Sequence, residues 1–255
     1  MIGWGLADEA FFARMLPELA AAPKPFFAFL VTLSLHHPYD EFPPALRRLQ
    51  LGALEGTSLG NYLHGIHHLD AALAELFAGL EAAGLADSTA VAIYGDHDAR
   101  LGVTPEIAAL AGEPAGSPSL RLRLERVPGF LVLPKGQVTG EVDAVGSHVD
   151  LAPTWLHYLG VPAPPAFVGR PLVPARAGRG WLPSPTARRW ATSACSRSPG
   201  RTSPRRGLFT AEGARIEREA CTGLVERARR ALAVSRAIAD HDLARALPSG
   251  TEPGP

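Results

Sequence analysis

A chain of 255 residues, 46% of them apolar, is long enough to bury a sizeable core. Its 25 basic and 25 acidic side chains cancel, which argues against a general nucleic-acid or anionic-membrane surface. The longest apolar run, Phe26 to Leu35, is about half of the ~20 residues a membrane span needs, and Met1-Ile-Gly-Trp-Gly lacks the basic start and apolar core of a signal peptide.

The first 20 residues read as a short entry helix with Asp8 as its N-cap. Pro25 to Ser34 is an apolar strand candidate that leads into Leu35-His36-His37-Pro38-Tyr39. Adjacent histidines are most often surface decoration, yet these sit just past a buried strand. Leu59 to Ala83 carries apolar residues at helical spacing and stops near Gly84. His64 and His68 are four apart on that helix. Without a glutamate between them in zinc-protease order, they read as a solvated or half-buried face rather than as a metal pair.

Thr89 to Tyr94 is a short apolar, partly β-branched run, too short for a helix. It reads as a strand buried on both faces inside a largely parallel sheet. Gly95 ends it, and Asp96 and His97 follow. Ligands of open α/β sheets bind at the carboxyl ends of strands, and a carboxylate oxygen with an imidazole nitrogen suits zinc or manganese. The plainer alternative, of equal standing on spacing alone, is a turn that Asp96 caps while His97 is solvated.

Gly102 to Arg126 reads as loop, with Arg121, Arg123 and Arg126 as a basic patch able to meet an anionic head group or simply to be solvated. Val127 to Pro134 is a third strand. In Gly146 to Gly160, Asp150 reads as the N-cap of a helix with Pro153 in its first turn and Gly160 as its stop. Residues 175–206 shift to Arg, Ser, Pro and Gly and read as a linker, disordered by composition. Residues 208–247 recover a strand-like Leu-Phe-Thr, a turn at Glu212-Gly213 and a helix from about Gly223 to Ala246. Cys195 and Cys221 show no zinc-type spacing.

Several stretches together resemble one family. Tyr94-Gly-Asp-His97 followed by Leu101-Gly102 is similar to the metal-binding Asp-His of the alkaline phosphatase superfamily, in the sulfatase-like branch that includes lipoteichoic acid synthases and related phosphoglycerol transferases. Gly3-Trp-Gly-Leu6, Thr32-Leu-Ser-Leu-His-His-Pro-Tyr39 and His148-Val-Asp-Leu-Ala-Pro-Thr154 resemble further segments of it, in the same order. The resemblance covers residues 1–172 and, more weakly, 208–247.

It implies an α/β, alkaline-phosphatase-like sheet flanked by helices, and a covalent phospho-enzyme route with a threonine nucleophile. It also implies a divalent metal, manganese first, with zinc, magnesium or calcium as alternatives. Asp96 and His97 take the metal positions; His36 takes the position that contacts a phosphate-bearing substrate, with His37 beside it. His148 lies near a second-metal histidine of other branches and is kept as a substrate contact, while Asp150 is structural. The implied substrate is a phosphate or sulfate ester such as a phosphoglycerol lipid head group, and the implied location of full-length relatives is the extracytoplasmic face of the cell envelope.

The Gly-Trp-Gly segment lies well inside the family's catalytic domain, so the sheet is expected to lack its N-terminal strands. The threonine nucleophile, an acidic ligand and the membrane anchor are expected upstream, because neither Thr32 nor Thr57 has the nucleophile's context. Residues 1–174 then form the C-terminal part of the catalytic domain, 175–206 a linker and 207–255 a terminal strand and helix. Two functions follow: a metal-dependent transferase or hydrolase completed by further sequence, or an inactive remnant or binding module.

Overall fold

The computed structural model describes residues 4–142, 146–173, 208–209, 215–216, 230 and 233–243. Contacts divide the chain into two units, residues 1–110 with 127–138, and residues 111–126 with 139–255.

In the first unit, helix α1 (Asp8–Ala21) packs on helix α2 (Ser58–Ala82). The seam follows from spacing. Phe12 and Leu19 on α1, and Ala72, Leu76 and Leu80 on α2, fall at three- and four-residue intervals or multiples of them, which line one helical face. With Leu85 they form the core, each large apolar side chain contributing about 1.5–3 kcal/mol by leaving water. Gly79 lets the helices close: a Cβ there would stand 2.2 Å from Leu16 Cδ1. Thr57 caps α2, its hydroxyl accepting from Gly60 N–H at 3.0 Å, and Gly84, at φ +68°, terminates it as expected.

Two expectations for these helices are corrected. Asp8 is the first helical residue of α1, not its N-cap; Ala7 holds that place. The Asp8 side chain is buried because it turns to Ser34 instead of to its own helix. His64 and His68 are buried too, at 1% and 4% exposure. Each has a carboxylate at one ring nitrogen, Glu55 at 3.3 Å from His64 Nε2 and Glu9 at 3.4 Å from His68 Nδ1. Phe42 lies against both rings. A partner carboxylate makes an imidazole tolerable in the interior, and those partners come from outside α2, where helical spacing cannot reveal them.

Strand β1 (Val91–Tyr94) pairs antiparallel with β2 (Gly129–Val132), Val91 opposite Val132 and Tyr94 opposite Gly129. All four β1 residues are half-buried, so the expectation of a strand covered on both faces in a parallel setting does not hold for this pair. An apolar run specifies burial tendency but not the direction of its neighbour. Residues 26–33 are extended yet carry no strand pairing, while Phe26 and Leu30 pack against the α1–α2 core, as does Val91.

The stretch read as loop contains two short helices, α3 (Pro105–Ala111) and α4 (Pro118–Leu124). Each opens on a proline, which is tolerated at a helix start. In the second unit, Ser117 caps α4, and a network closes around Glu113: Ser117 Oγ at 2.8 Å, Ser119 Oγ, and Arg123 Nη1 at 2.8 Å.

Helix α5 (His148–Tyr158) has Ser147, not Asp150, as its N-cap and holds Pro153 in its second turn. Asp150 sits one turn in and works as a structural tie. Its Oδ2 accepts from Ser147 N–H and its Oδ1 from Arg170 N–H, both at 2.9 Å. Gly160, at φ +70°, follows the helix end as expected. Strands β3 (Leu208–Phe209) and β4 (Arg215–Ile216) pair antiparallel, and residues 233–240 are helical. The stretch 175–206, both cysteines and the turn at Glu212-Gly213 lie outside the described residues.

Candidate functional site

Gly95 extends the β1–β2 pairing by one step, its N–H donating to Pro128 O at 3.1 Å. A Cβ at this position would lie 3.0 Å from Val127 Cβ, so glycine allows the two chains to stay close as β1 ends. Asp96, His97 and Asp98 follow at the strand's carboxyl end. His97 Nδ1 lies 2.7 Å from Asp98 O. A carbonyl can only accept, so Nδ1 carries a proton, and in the neutral ring Nε2 keeps its lone pair. That nitrogen is 3.8 Å from Asp96 Oδ1.

Those two atoms fit a divalent cation. Bonds of about 2.0–2.2 Å from N and O ligands place two donors on one ion roughly 3–4 Å apart, and a backbone carbonyl on the remote nitrogen is the usual way to fix a ligating histidine. Among the described residues, no group of three or more His, Cys, Asp or Glu side chains is spaced to hold a metal. Asp96 and His97 therefore offer half of a four-coordinate shell.

His36 comes to the same place. Its ring meets that of His97 edge to face at 6.3 Å, that of His37 at 4.7 Å, and the Trp4 indole at 3.9 Å. His36 Nδ1 bonds to His37 O, which leaves Nε2 as the open nitrogen by the same logic. His37 Nδ1 is buried and without a partner. Desolvation pushes the His37 pKa down, and the positive charge of His36, Arg100 and His97 pushes it further the same way. Arg100 reaches the cluster on a left-handed backbone, φ 53°, its N–H bonded to Asp98 Oδ2 at 3.1 Å.

Two ties hold the loop carrying His36 and His37. On its near side, Ser34 Oγ donates to Asp8 Oδ1 at 2.8 Å and accepts from Asp8 N–H at 3.1 Å. On its far side, Asn61 Nδ2 on α2 donates to Tyr39 O at 2.9 Å. Burial raises the Asp8 pKa, partly offset by the Ser34 hydrogen bonds and the nearby His68 charge. Tyr39 is pushed up to about 12 by burial, then by Tyr62 and Asp98, so it stays a neutral phenol.

The first unit thus brings together His36, His37, Asp96 and His97. His148 lies in the second unit, as the first residue of α5. Reading the sequence missed Trp4, Arg100 and Tyr39 as members of the cluster. Arg100 had a signal in its place three residues past His97, whereas Trp4 is brought in by a backbone bond from its N–H to Leu33 O at 3.4 Å, which no local pattern announces.

Comparison with known proteins gives a consistent picture. A family model described as Sulfatase matches residues 2–161. Lipoteichoic acid synthase 1 of Bacillus subtilis is 31% identical over 166 residues, 63% of this chain and 25% of that protein. Lipoteichoic acid synthase of Staphylococcus aureus is 29% identical over 167 residues, 63% of this chain and again 25% of that protein. The chain thus spans about a quarter of the length of these curated relatives.

Among solved structures, the lipoteichoic acid synthase LtaP of Listeria monocytogenes superposes with a TM-score of 0.65 at 22% identity, covering 98% of this chain and 62% of that one. A protein of the alkaline phosphatase superfamily from Vibrio parahaemolyticus gives 0.50 at 26% identity, covering 67% of this chain and 38% of that one.

Proposed function

Because the chain belongs to the sulfatase family, in the lipoteichoic-acid-synthase-like branch of the alkaline phosphatase superfamily whose α/β fold it shares, we propose that it forms the metal-holding part of a transferase or hydrolase acting on phosphoglycerol, phosphate-ester or sulfate-ester groups. The observation that carries this reading is the pairing at the end of β1. His97 has spent one nitrogen on a carbonyl and keeps the other beside the Asp96 carboxylate. Asp96 and His97 would hold a divalent cation, manganese by family resemblance. Such a cation, when bound, neutralises charge building on an ester's non-bridging oxygens and lowers the pKa of an attacking hydroxyl.

The remaining steps belong to this chain's own residues. His36, with Nε2 open, takes up a proton in its neutral form; as the imidazolium it donates from Nε2 to the ester oxygens or hands that proton to the leaving group. Arg100, close enough to act on His37, makes the surroundings favourable to an anion. Trp4 fixes the His36 ring from one face. The nucleophile is assigned to none of these residues: Thr57 caps α2, and Thr32 lies in the extended segment 26–33. The covalent intermediate and the extracytoplasmic setting implied by the relatives belong to this proposal too.

Manganese titration followed by NMR tests the reading. Paramagnetic broadening should centre on Asp96 and His97 and vanish in Asp96→Asn. Broadening spread evenly over surface carboxylates would overturn it. A phosphodiester and sulfate-ester hydrolysis assay then separates the two ester classes. A second reading, a binding module without turnover, is favoured by the incomplete ligand set among the described residues; it predicts site-specific metal binding and no hydrolysis of either ester.

A further inference from the structure

Helix α2 buries one continuous line of residues whose two halves face different things. Ala72, Leu76 and Leu80 belong to the core shared with α1. Nearer the helix start, Asn61, His64, Gly65 and His68 are buried as well, at intervals of three and four that keep them on that face. This upper half meets the segment that carries His36. Asn61 Nδ2 donates to Tyr39 O at 2.9 Å. Phe42 stacks on the His64 ring at 5.7 Å and meets that of His68 edge to face at 6.1 Å.

Gly65 sits among these contacts without a side chain. A Cβ there would lie 2.7 Å from Leu35 Cδ1, and Leu35 is the residue directly before His36. Glycine is the poorest helix former after proline, so inside a helix it weakens the fold unless the missing side chain is put to use. Two other glycines of α2 make room in the same way, Gly60 for Leu54 in the turn before the helix and Gly79 for Leu16 of α1. Gly65 makes room for the neighbour of a histidine.

The stretch around Leu35 has little slack. Ser34, just ahead of it, is buried and tied to Asp8. Tyr39 is held through its carbonyl by Asn61, and its hydroxyl donates to Leu35 O at 3.4 Å. A methyl group at position 65 would have to push Leu35 back by roughly 1 Å to restore ordinary carbon–carbon contact.

We propose that Gly65 is a positioning residue for His36: the space left by its missing side chain seats Leu35 against α2, and that seat sets where the His36 imidazole stands relative to His97 and Trp4. Gly65 touches no substrate. A shift of about 1 Å that originates away from the reacting atoms is enough to cost about a hundredfold in rate. The inference rests on the reading of His36 as the residue that meets the ester. Its test needs neither ester nor metal, so its failure is distinguishable from failure of that reading.

The test is NMR of the histidine side chains in the full, isotope-labelled chain, with the His36 peaks identified by their loss in His36→Gln. The Trp4 indole, 3.9 Å from the His36 ring, makes those peaks responsive to small movements through its ring current. Gly65→Ala should shift them, leave the peaks of His148 in the other unit in place, and keep the helical circular dichroism, since alanine is the better helix former. Leu35→Ala removes the atom that the new methyl group meets. In that background Gly65→Ala should no longer move the His36 peaks.

A merely structural role for Gly65 would change the melting temperature and leave the surroundings of His36 alone. Wild-type His36 peaks in a folded Gly65→Ala chain would therefore overturn the inference, because Leu35 would have turned aside without moving its neighbour. An equal shift with and without Leu35 would overturn it too, since the methyl group would act by another route. Leu35→Ala alone empties the seat without altering the helix and should itself move the His36 peaks. Unmoved peaks in that variant would overturn the inference even where Gly65→Ala fails to fold.

Discussion

The imidazoles of His36 and His97 meet edge to face, ring centroids 6.3 Å apart and planes at 86°. One follows the extended segment 26–33 and the other follows β1, and each has its Nδ1 tied to the carbonyl of the next residue. Two independent turns therefore present two Nε2 atoms in the same tautomeric state. Their neighbours differ: His97 has Asp96 Oδ1 at 3.8 Å from its Nε2, and among the described residues no carboxylate is paired with His36.

Replacing Asp96 with Asn or His97 with Gln should weaken manganese binding by more than about tenfold, the scale at which even supporting groups of a metal site act. Calorimetric titration of each variant against wild type measures it. An unchanged affinity in both would remove Asp96 and His97 from the ligand set.

His36→Ala should leave manganese affinity within error and lower ester turnover by roughly a hundredfold in a catalytic domain that contains all its elements, as expected for a positioned acid–base group. The two readouts are measured separately. Loss of metal with an unaltered fold would move His36 to the ligands.

The Asp8–Ser34 tie predicts a pH signature. Burial holds the Asp8 pKa above its ordinary 3.8, so folding favours the protonated form. The stability this contributes is complete below pH 3.8 and is lost as pH rises through the folded value. Ser34→Ala removes hydrogen bonds that favour the charged carboxylate, leaving a buried anion poorly partnered. The variant should lose about 1–3 kcal/mol at neutral pH and less at acidic pH. Urea melts at pH 7 and pH 4 check it; an equal loss at both would show that the hydroxyl acts only through packing.

Glu113 predicts the opposite slope. Hydrogen bonds from Ser119, Arg123 and Ser117 pull its pKa down to about 2 from 4.5. Stability from this network is full above pH 4.5 and fades as pH falls toward 2. Thermal melts across that window should show a steeper decline for wild type than for Glu113→Gln. Parallel profiles would mean the network contributes nothing to folding.

What could be read from sequence followed a physical line. Helix α2 announces itself by apolar spacing, and Gly84 marks its end, whereas its Thr57 cap was not recognised. The strand end at Gly95-Asp96-His97 was legible because β1 is a short apolar run with an abrupt polar stop. The burial of His64 and His68 was hidden, because their carboxylates come from Glu55 and Glu9, outside the helix that carries them. Asp8 misled for a related reason: a helix-start aspartate usually serves its own helix, and this one serves Ser34. Strand direction was also out of reach, since side-chain alternation is identical in parallel and antiparallel pairs.

The left-handed backbone at Arg100 has a consequence for how this position would drift over generations. Glycine adopts that conformation freely, whereas a residue with a Cβ gives up about 1–3 kcal/mol to hold it. An arginine that gives up this energy is expected to persist only while its guanidinium serves the proposed anion site beside the histidines. In a lineage where the proposed anion site had fallen idle, position 100 would be expected to move toward Gly or Asn well before the fold suffered. The residue found there is thus an inexpensive marker, readable from a genome alone, of whether a related chain still depends on this turn.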